Sequence, residues 1–218
     1  MSQFRRQYRS FAEAFILACA ICASAQSAQV QSLPIRVLVQ SPADTAADLQ
    51  IICLFRSSPE NTLHGSLVEI NQKLNGLFDQ VRKPGLFGGE LGETLLLTPP
   101  PGTLAAKRLL IIGLGDSSTF TPARMYLIGK IAYRESSRLD VVHPFFAPTI
   151  LDGGVTGFAT GEVAGQVVRG FRDAQATESV LATAHAAAAS PVRDLTFLAG
   201  AEHAADTQTS IDHALKSN

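Results

Sequence analysis

Short apolar runs alternate with amphipathic stretches along the chain. A run of four to seven residues that is largely apolar is typical of a strand covered on both faces of a sheet. Such runs lie at 35–39, 51–55, 94–98, 109–113, 140–146 and 195–198. Pro144 and Pro148 bound the strand predicted within 140–146. The pattern therefore predicts six strands.

The segments between these runs carry apolar residues at the period of a helix. From Leu63 to Val81 the apolar positions step by 4, 3, 4, 3 and 4, which predicts one amphipathic helix ended by Pro84-Gly85. Thr121-Pro122 is a typical helix start, with Thr as N-cap and Pro at the first helical position. That helix is expected to direct Leu127 and Ile128 inward.

Two further helices are predicted in the C-terminal third. Ala159, Val163, Val167 and Phe171 recur every four residues, and a last helix is expected over 201–216. Because strands and helices alternate, the fold class is α/β, with a mostly parallel or mixed sheet. We find no internal repeat. We therefore expect residues 26–218 to form a single domain.

The first 25 residues have the features of a secretory signal peptide. Arg5, Arg6 and Arg9 precede an apolar run at 14–23, and Ala23-Ser24-Ala25 gives the small-x-small cleavage pattern. The run is shorter than the roughly 20 residues that a transmembrane helix needs. The sequence therefore predicts an exported protein, periplasmic or secreted, that loses residues 1–25 and has no transmembrane segment.

Cysteine usage adds one alternative and one prediction. Lipid anchoring at Cys19 is the less favoured alternative, because Leu17 stands where a lipobox usually has a smaller residue. After removal of residues 1–25 only Cys53 remains, inside an apolar strand. A buried structural thiol is favoured over a nucleophile, which would need exposure and a nearby base.

Composition excludes several classes of function. The chain is 46% hydrophobic with a formal net charge of −1, so it is neither disordered nor surrounded by the basic field that nucleic acids attract. None of its 5 histidines pairs with another at i, i+4, so a zinc motif is absent from the sequence. We expect no cofactor and no nucleic-acid partner.

One glycine-containing turn is the candidate for anion binding. Gly113-Leu114-Gly115-Asp116 follows a predicted strand and precedes a helix, which is the context of a phosphate-binding loop. Ser118 stands where a dinucleotide fingerprint has its third glycine, and a P-loop lysine is lacking. A tight structural turn is therefore favoured, with Gly113, Gly115 and Asp116 as the anion-site alternative.

Other polar groups have ordinary structural interpretations. Glu90 and Glu93 lie in a glycine-rich loop, where a solvated loop is favoured over acid–base chemistry. Asp152-Gly153-Gly154 is typical of a turn. His143 precedes Pro144 at the end of a predicted strand, where a structural role is favoured.

The stretch from Leu67 to Gly129 resembles the N-terminal domain of the leucyl (cytosol) aminopeptidase family. It shows an amphipathic helix, an F-x-G segment ending in G-E, a basic pair and an apolar strand ending in G-L-G. The positions are Phe87, Gly88, Gly92, Glu93, Lys107, Arg108, Gly113, Leu114 and Gly115. Further on, GQVVRGFR at 165–172 is similar to the family's glycine-containing helix.

The resemblance implies a macro-domain-like fold, a three-layer α/β/α arrangement around a mixed, mostly parallel sheet. In the family a two-metal catalytic domain follows, and this chain ends at Asn218, about where that domain is expected to begin. The sequence has neither the N-T-D-A-E-G-R segment nor the D-x-G-G loop of that domain. No catalytic or metal-binding residue of the family can therefore be assigned here.

Three functions remain open. The first is an exported, non-catalytic, stand-alone binding or interaction module. The second is part of a metal-dependent leucyl aminopeptidase whose catalytic domain is missing or lies on a separate chain. The third is a binder of nucleotide derivatives, by analogy with macro domains. Absence of metal ligands favours the first, whose partner would be a protein or a small ligand.

Overall fold

A computed structural model describes residues 33–58, 62–83 and 85–217. These residues fall in one unit, Ser32–Asn218. The predicted signal peptide, residues 1–25, lies outside the described residues.

Six strands form one sheet, as the apolar runs predict. They are β1 (Ile35–Val39), β2 (Gln50–Leu54), β3 (Thr94–Leu97), β4 (Leu109–Gly113), β5 (Phe145–Ala147) and β6 (Leu195–Ala199). Their order across the sheet is β1-β6-β5-β2-β4-β3. All neighbours run parallel except β3, which is antiparallel to β4. The prediction of a mixed, mostly parallel sheet is confirmed.

Helices cover both faces of this sheet. They are α1 (Gly65–Lys73), α2 (Leu77–Val81), α3 (Arg124–Arg138), α4 (Thr160–Thr183) and α5 (Ala204–Lys216). Residues of α1 and α2 pack in one apolar cluster and residues of α3, α4 and α5 in a second. In β2, Ile52 belongs to the first cluster and Cys53 to the second, because successive side chains point to opposite faces. The three-layer α/β/α prediction is confirmed.

The prediction of one helix from Leu63 to Val81 is wrong. Asn75 and Gly76 have φ values of 53° and 73°, in the left-handed region, so the chain turns between α1 and α2. The side chain of Asn71 accepts a hydrogen bond of 2.9 Å from the Phe78 amide and stabilises the turn. The turn allows Phe78 to be fully buried against the sheet.

The predicted start of α3 is also displaced. Thr121 and Pro122 form a turn whose carbonyls accept hydrogen bonds from the Arg124 and Met125 amides, and the helix begins at Arg124. Leu127 is 40% exposed rather than inward. The buried face is set by Met125, Ile128 and Ala132, and a helix rotates about 100° per residue, which turns Leu127 away from it.

Helices α3 and α4 approach each other through two glycines. A Cβ atom at Gly129 would lie 2.1 Å from the Val167 carbonyl oxygen, and one at Gly170 would lie 1.9 Å from the Tyr126 carbonyl oxygen. Each distance is far inside van der Waals contact, so only glycine fits at either position. Gly170 lies in the GQVVRGFR segment, whose glycine therefore serves backbone packing.

We predict opposite effects for two glycine-to-alanine changes on α4. Gly170→Ala should lower the free energy of unfolding by about 1–3 kcal/mol, because the new methyl group forces the two helix backbones apart. Gly165→Ala should be neutral or raise it by up to about 1 kcal/mol, because alanine favours the helix. A Cβ at Gly165 meets only the Ser210 carbonyl oxygen, at 3.9 Å.

Urea denaturation of both variants measures the difference. Equal stability of the two variants would contradict close backbone packing at Gly170.

Candidate functional site

The loop containing Gly113 and Gly115 is bound by its neighbours through the backbone. The amides of Gly113, Leu114 and Gly115 each donate a hydrogen bond of 2.8 Å, to the carbonyls of Glu93, Leu54 and Gly89. Gly115 has a φ of 75°, and a Cβ at Gly113 would lie 2.0 Å from the Glu90 carbonyl oxygen. Glycine is therefore required for structural reasons at both positions. Gly115 adopts a left-handed turn, and Gly113 lies against the Glu90 backbone.

Asp116 uses its carboxylate within the same loop. Its Oδ1 accepts hydrogen bonds of 2.8 Å from both the amide and the hydroxyl of Ser118, at the start of a short 3-10 helix, Ser117–Thr119. These two bonds, the amide bond first, hold the pKa of Asp116 below its ordinary value. Arg124 donates to the Asp116 carbonyl oxygen at 3.1 Å. A phosphate group would have to compete with each of these contacts.

The two glutamates of the glycine-rich loop have separate partners. The carboxylate of Glu93 accepts hydrogen bonds from the amides of Gly88 at 3.3 Å and Glu90 at 3.0 Å. Glu90 forms an ion pair with Arg56. Both glutamates therefore stabilise the conformation of the loop.

Cys53 is fully buried, as the sequence predicts. Burial in apolar surroundings raises the pKa of its thiol far above the ordinary value. The Thr149 hydroxyl donates to the Cys53 carbonyl at 2.6 Å and accepts from the Cys53 amide at 3.0 Å. At the opposite end of the sheet His143 lies 2.7 Å from Asp194, as an exposed surface pair.

A cleft of about 580 Å³ opens at the carboxyl ends of β1, β5 and β6. Its walls come from four parts of the chain: the loop after β1, the start of α1, the loop between β5 and α4, and the loop between β6 and α5. In α/β sheets, ligands usually bind at the carboxyl ends of parallel strands, where the chain connections of neighbouring strands run in opposite directions. Sequence analysis missed this cleft, because its lining residues are dispersed along the chain.

The inner wall of the cleft is largely apolar. Its main apolar side chains are Phe158, Val163 and Phe197, together with Ile150. Phe158 packs edge-on against Phe120, with ring centroids 5.4 Å apart, which fixes its position. Such a wall suits the apolar part of a small molecule.

The rim of the cleft carries acidic groups. Glu69, Asp152 and Glu202 line it, together with the imidazole of His203. Lysine and arginine are absent from the described residues that line it. The cleft is therefore electronegative at neutral pH.

Asp152 is positioned by the start of α1. Its Oδ2 accepts hydrogen bonds from the amide, at 3.2 Å, and the hydroxyl of Ser66, and its carbonyl accepts one of 2.8 Å from the His64 amide. The carboxylate thus accepts from one amide donor, that of Ser66, at a helix N-terminus, where negative charge is stabilised. Sequence analysis placed Asp152 in a turn and missed that it caps a helix distant in sequence.

Thr207 is an unusual group in the wall of the cleft. The residue is only 1% exposed, and its hydroxyl oxygen has no hydrogen-bond partner among the described residues. The neighbouring Asp206 is bonded across to α4 through Oδ2, which accepts from the Gly161 amide at 2.8 Å. An unpaired buried hydroxyl is unfavourable, so this one is suited to a ligand.

Metal-binding clusters and membrane-spanning helices are both absent from the described residues. Among residues 33–58, 62–83 and 85–217, no three His, Cys, Asp or Glu side chains are grouped closely enough to hold a metal ion. No helix in this part of the chain is both long and apolar enough to cross a membrane.

The glycine-rich loop and the strands on either side of it lie within a stretch that matches a known family. The family model described as "Cytosol aminopeptidase family, N-terminal domain" matches residues 51–174. The chain therefore belongs to the cytosol aminopeptidase family, through that N-terminal domain.

Curated relatives agree over a short stretch. A probable cytosol aminopeptidase of Thermosynechococcus vestitus is 32% identical over 92 residues, which is 42% of this chain and 17% of that protein. One from Burkholderia mallei is 34% identical over 85 residues, covering 39% of this chain and 17% of that protein. The matched part thus spans less than a fifth of each relative.

Solved structures confirm the macro-domain-like fold. A mutant of tomato leucine aminopeptidase aligns with a TM-score of 0.56 and 20% identity, over 84% of this chain and 35% of the enzyme. The macro domain of ganglioside induced differentiation associated protein 2 aligns with a TM-score of 0.61 and 10% identity, over 87% of both chains. The Oceanobacillus iheyensis macrodomain solved with ADP gives 0.58 and 12%, over 87% and 95%. At these identities the likeness concerns the fold.

Proposed function

We propose that this chain is an exported binding module without peptidase activity of its own. The observation that carries the proposal is the cleft at the carboxyl ends of β1, β5 and β6, which has an apolar wall and a polar rim. Export is supported by the charged, apolar and small-residue pattern of residues 1–25.

The use of the acidic side chains supports a non-catalytic role. Two-metal hydrolysis requires several carboxylates that converge on ions about 3.5–4 Å apart. Here Glu93, Asp116, Asp152 and Asp206 each accept hydrogen bonds from backbone amides of other residues. They are dispersed, and each already stabilises a loop or a helix start.

The second candidate is a part of a metal-dependent leucyl aminopeptidase whose catalytic domain is missing or lies on another chain. The family match to an aminopeptidase N-terminal domain favours it. A gene for a catalytic domain beside this one, and a stable complex of the two products, would place this candidate first.

We predict that the purified chain does not release p-nitroaniline from leucine p-nitroanilide, with or without added zinc, manganese or magnesium. The physical reason is the lack of converging metal ligands in the described residues. The assay follows absorbance across chromatographic fractions, with an authentic leucyl aminopeptidase as positive control. Chelator-sensitive turnover that co-elutes with the chain would favour the second candidate.

The third candidate is a macro-domain type binder of nucleotide derivatives. A Trypanosoma brucei macrodomain solved in complex with ADP-ribose shares the fold, at 13% identity and a TM-score of 0.58. In this chain the amides of Gly113, Leu114 and Gly115 bind protein carbonyls, and the rim of the cleft is acidic. Neither feature favours a diphosphate.

We predict no useful affinity for ADP-ribose. Titration calorimetry should give no dissociation constant below about 10 μM, near −7 kcal/mol, because carboxylates repel the two phosphates. The Trypanosoma brucei macrodomain is the positive control. Tighter binding would show that the amide donors of the loop or cleft rearrange for the ligand.

We predict that export removes the N-terminus. Intact mass spectrometry of the exported protein should place the first residue at Gln26 or within a few residues of it, after Ala23-Ser24-Ala25. A matched variant, Ala23→Arg with Ala25→Arg, should block cleavage. Full-length protein confined to the cytosol would contradict export, and lipid on Cys19 would support the anchored alternative.

A further inference from the structure

We propose that the cleft takes an organic cation, a small molecule with an ammonium group and an apolar body. This inference rests on the proposed function, that the cleft binds a ligand. It adds the charge and the orientation of that ligand. The ammonium group would lie toward the acidic rim and Thr207, and the apolar body against Phe158 and Phe197.

The charge of the cleft is the first argument. Three carboxylates and one imidazole line it, and none of the described lining residues is a lysine or an arginine. Glu69 is compensated only in part by Lys73, because the Lys73 ammonium is shared and lies 2.6 Å from Asp44 and 3.2 Å from Glu69. The group formed by Lys73, Asp44 and Glu69 therefore keeps a net negative charge, which attracts cations and repels anions.

The free acceptor capacity of the Asp152 carboxylate is the second argument. Both side-chain hydrogen bonds to Asp152 end on Oδ2, so Oδ1 retains its acceptor capacity. The α1 start holds this carboxylate in place, so little conformational entropy is lost when a ligand binds it. Hydrogen bonds between a carboxylate and an ammonium group are among the stronger ones in proteins.

The hydroxyl of Thr207 is an independent observation. It is buried in the cleft wall, and none of the described residues provides it with a hydrogen-bond partner. A hydroxyl can both accept and donate, so a ligand that brings an N–H donor satisfies its oxygen, and the acidic rim then selects a positively charged donor. An ammonium group supplies three such donors, enough for Thr207 and a carboxylate at once.

The apolar wall determines the chemistry of the part of the ligand that carries no charge. Phe158, Val163 and Phe197 have aromatic or branched side chains without hydrogen-bonding groups; Phe158 is half-buried, and Val163 and Phe197 are buried in the wall. A fully polar cation, such as a hydrated metal ion, leaves this surface without a partner. An aryl or branched alkyl amine buries it.

Three probes that share a phenyl ring and have nearly equal size separate the effect of ligand charge from the effect of ligand shape. We measure binding of 2-phenylethylamine, 2-phenylethanol and phenylacetate to the purified chain, by ligand-observed NMR and calorimetry. The amine should bind about tenfold more tightly than the alcohol, and phenylacetate should bind most weakly. Alcohol or phenylacetate as the tightest ligand would overturn the charge inference and leave the proposed function in place. If none of the three saturates, both are overturned.

Two variants test the named groups. Thr207→Val removes the unpaired hydroxyl at nearly constant shape, so the melting temperature should stay equal or rise while amine affinity falls about tenfold. Thr209→Val is the control on the same helix, because its hydroxyl is exposed and bonds the Ala205 carbonyl at 2.9 Å. Unchanged amine affinity in Thr207→Val would overturn the assignment of this hydroxyl.

Asp152→Asn tests the charge without removing the helix cap. The amide oxygen of asparagine can still accept the two hydrogen bonds from Ser66. The preference for the amine over the alcohol should shrink several-fold while alcohol affinity is retained. A preference equal to that of the unchanged protein would show that Asp152 does not contact the ammonium group.

Discussion

The contact between the glycine-rich loop and the end of β4 is the constraint on which the sheet depends. Gly92 donates to the Gly113 carbonyl at 2.9 Å, and Gly113 in turn donates to the Glu93 carbonyl at 2.8 Å. This reciprocal pairing holds the loop against β4 and sets the register in which β3 runs antiparallel to it. A side chain on Gly113 would collide with the Glu90 backbone. The mixed character of the sheet follows from this one approach of two backbones.

Several of the residues that carry the family resemblance make this contact or hold the loop around it. Phe87 is buried in the cluster that α1 and α2 form, Glu93 holds the loop amides, and Gly113 and Gly115 pass between backbones. These residues serve turn geometry and packing, because each has a partner within the protein. The motif therefore identifies the fold, and it leaves the choice of ligand or partner to other surfaces.

Much of the fold follows from periodicity, and the departures have local causes. β4 and β2 are fully buried, so their apolar runs are continuous and easily recognised. The prediction of a single helix over 63–81 is wrong because Asn75 and Gly76 adopt positive φ. Asn and Gly adopt this conformation at little cost, and the spacing of apolar residues gives no sign of it. Leu127 is predicted inward together with Ile128, but adjacent helix positions face different directions, and Leu127 is exposed while Ile128 is buried. The cleft was unpredictable, since three loops and the start of α1 assemble it.

The open cleft and the closed loop lie over different strands of one sheet edge. Over β2 and β4 the loop amides and the arginines Arg56 and Arg124 are engaged with protein groups. Over β1, β5 and β6 an apolar wall and an acidic rim line an open cleft. The Thr207 hydroxyl, buried in that wall, lacks a hydrogen-bond partner among the described residues. A protein that retains the loop for folding can change its ligand by altering the cleft, because the two share few residues. We therefore expect the specificity of this chain to lie in the cleft residues rather than in the loop.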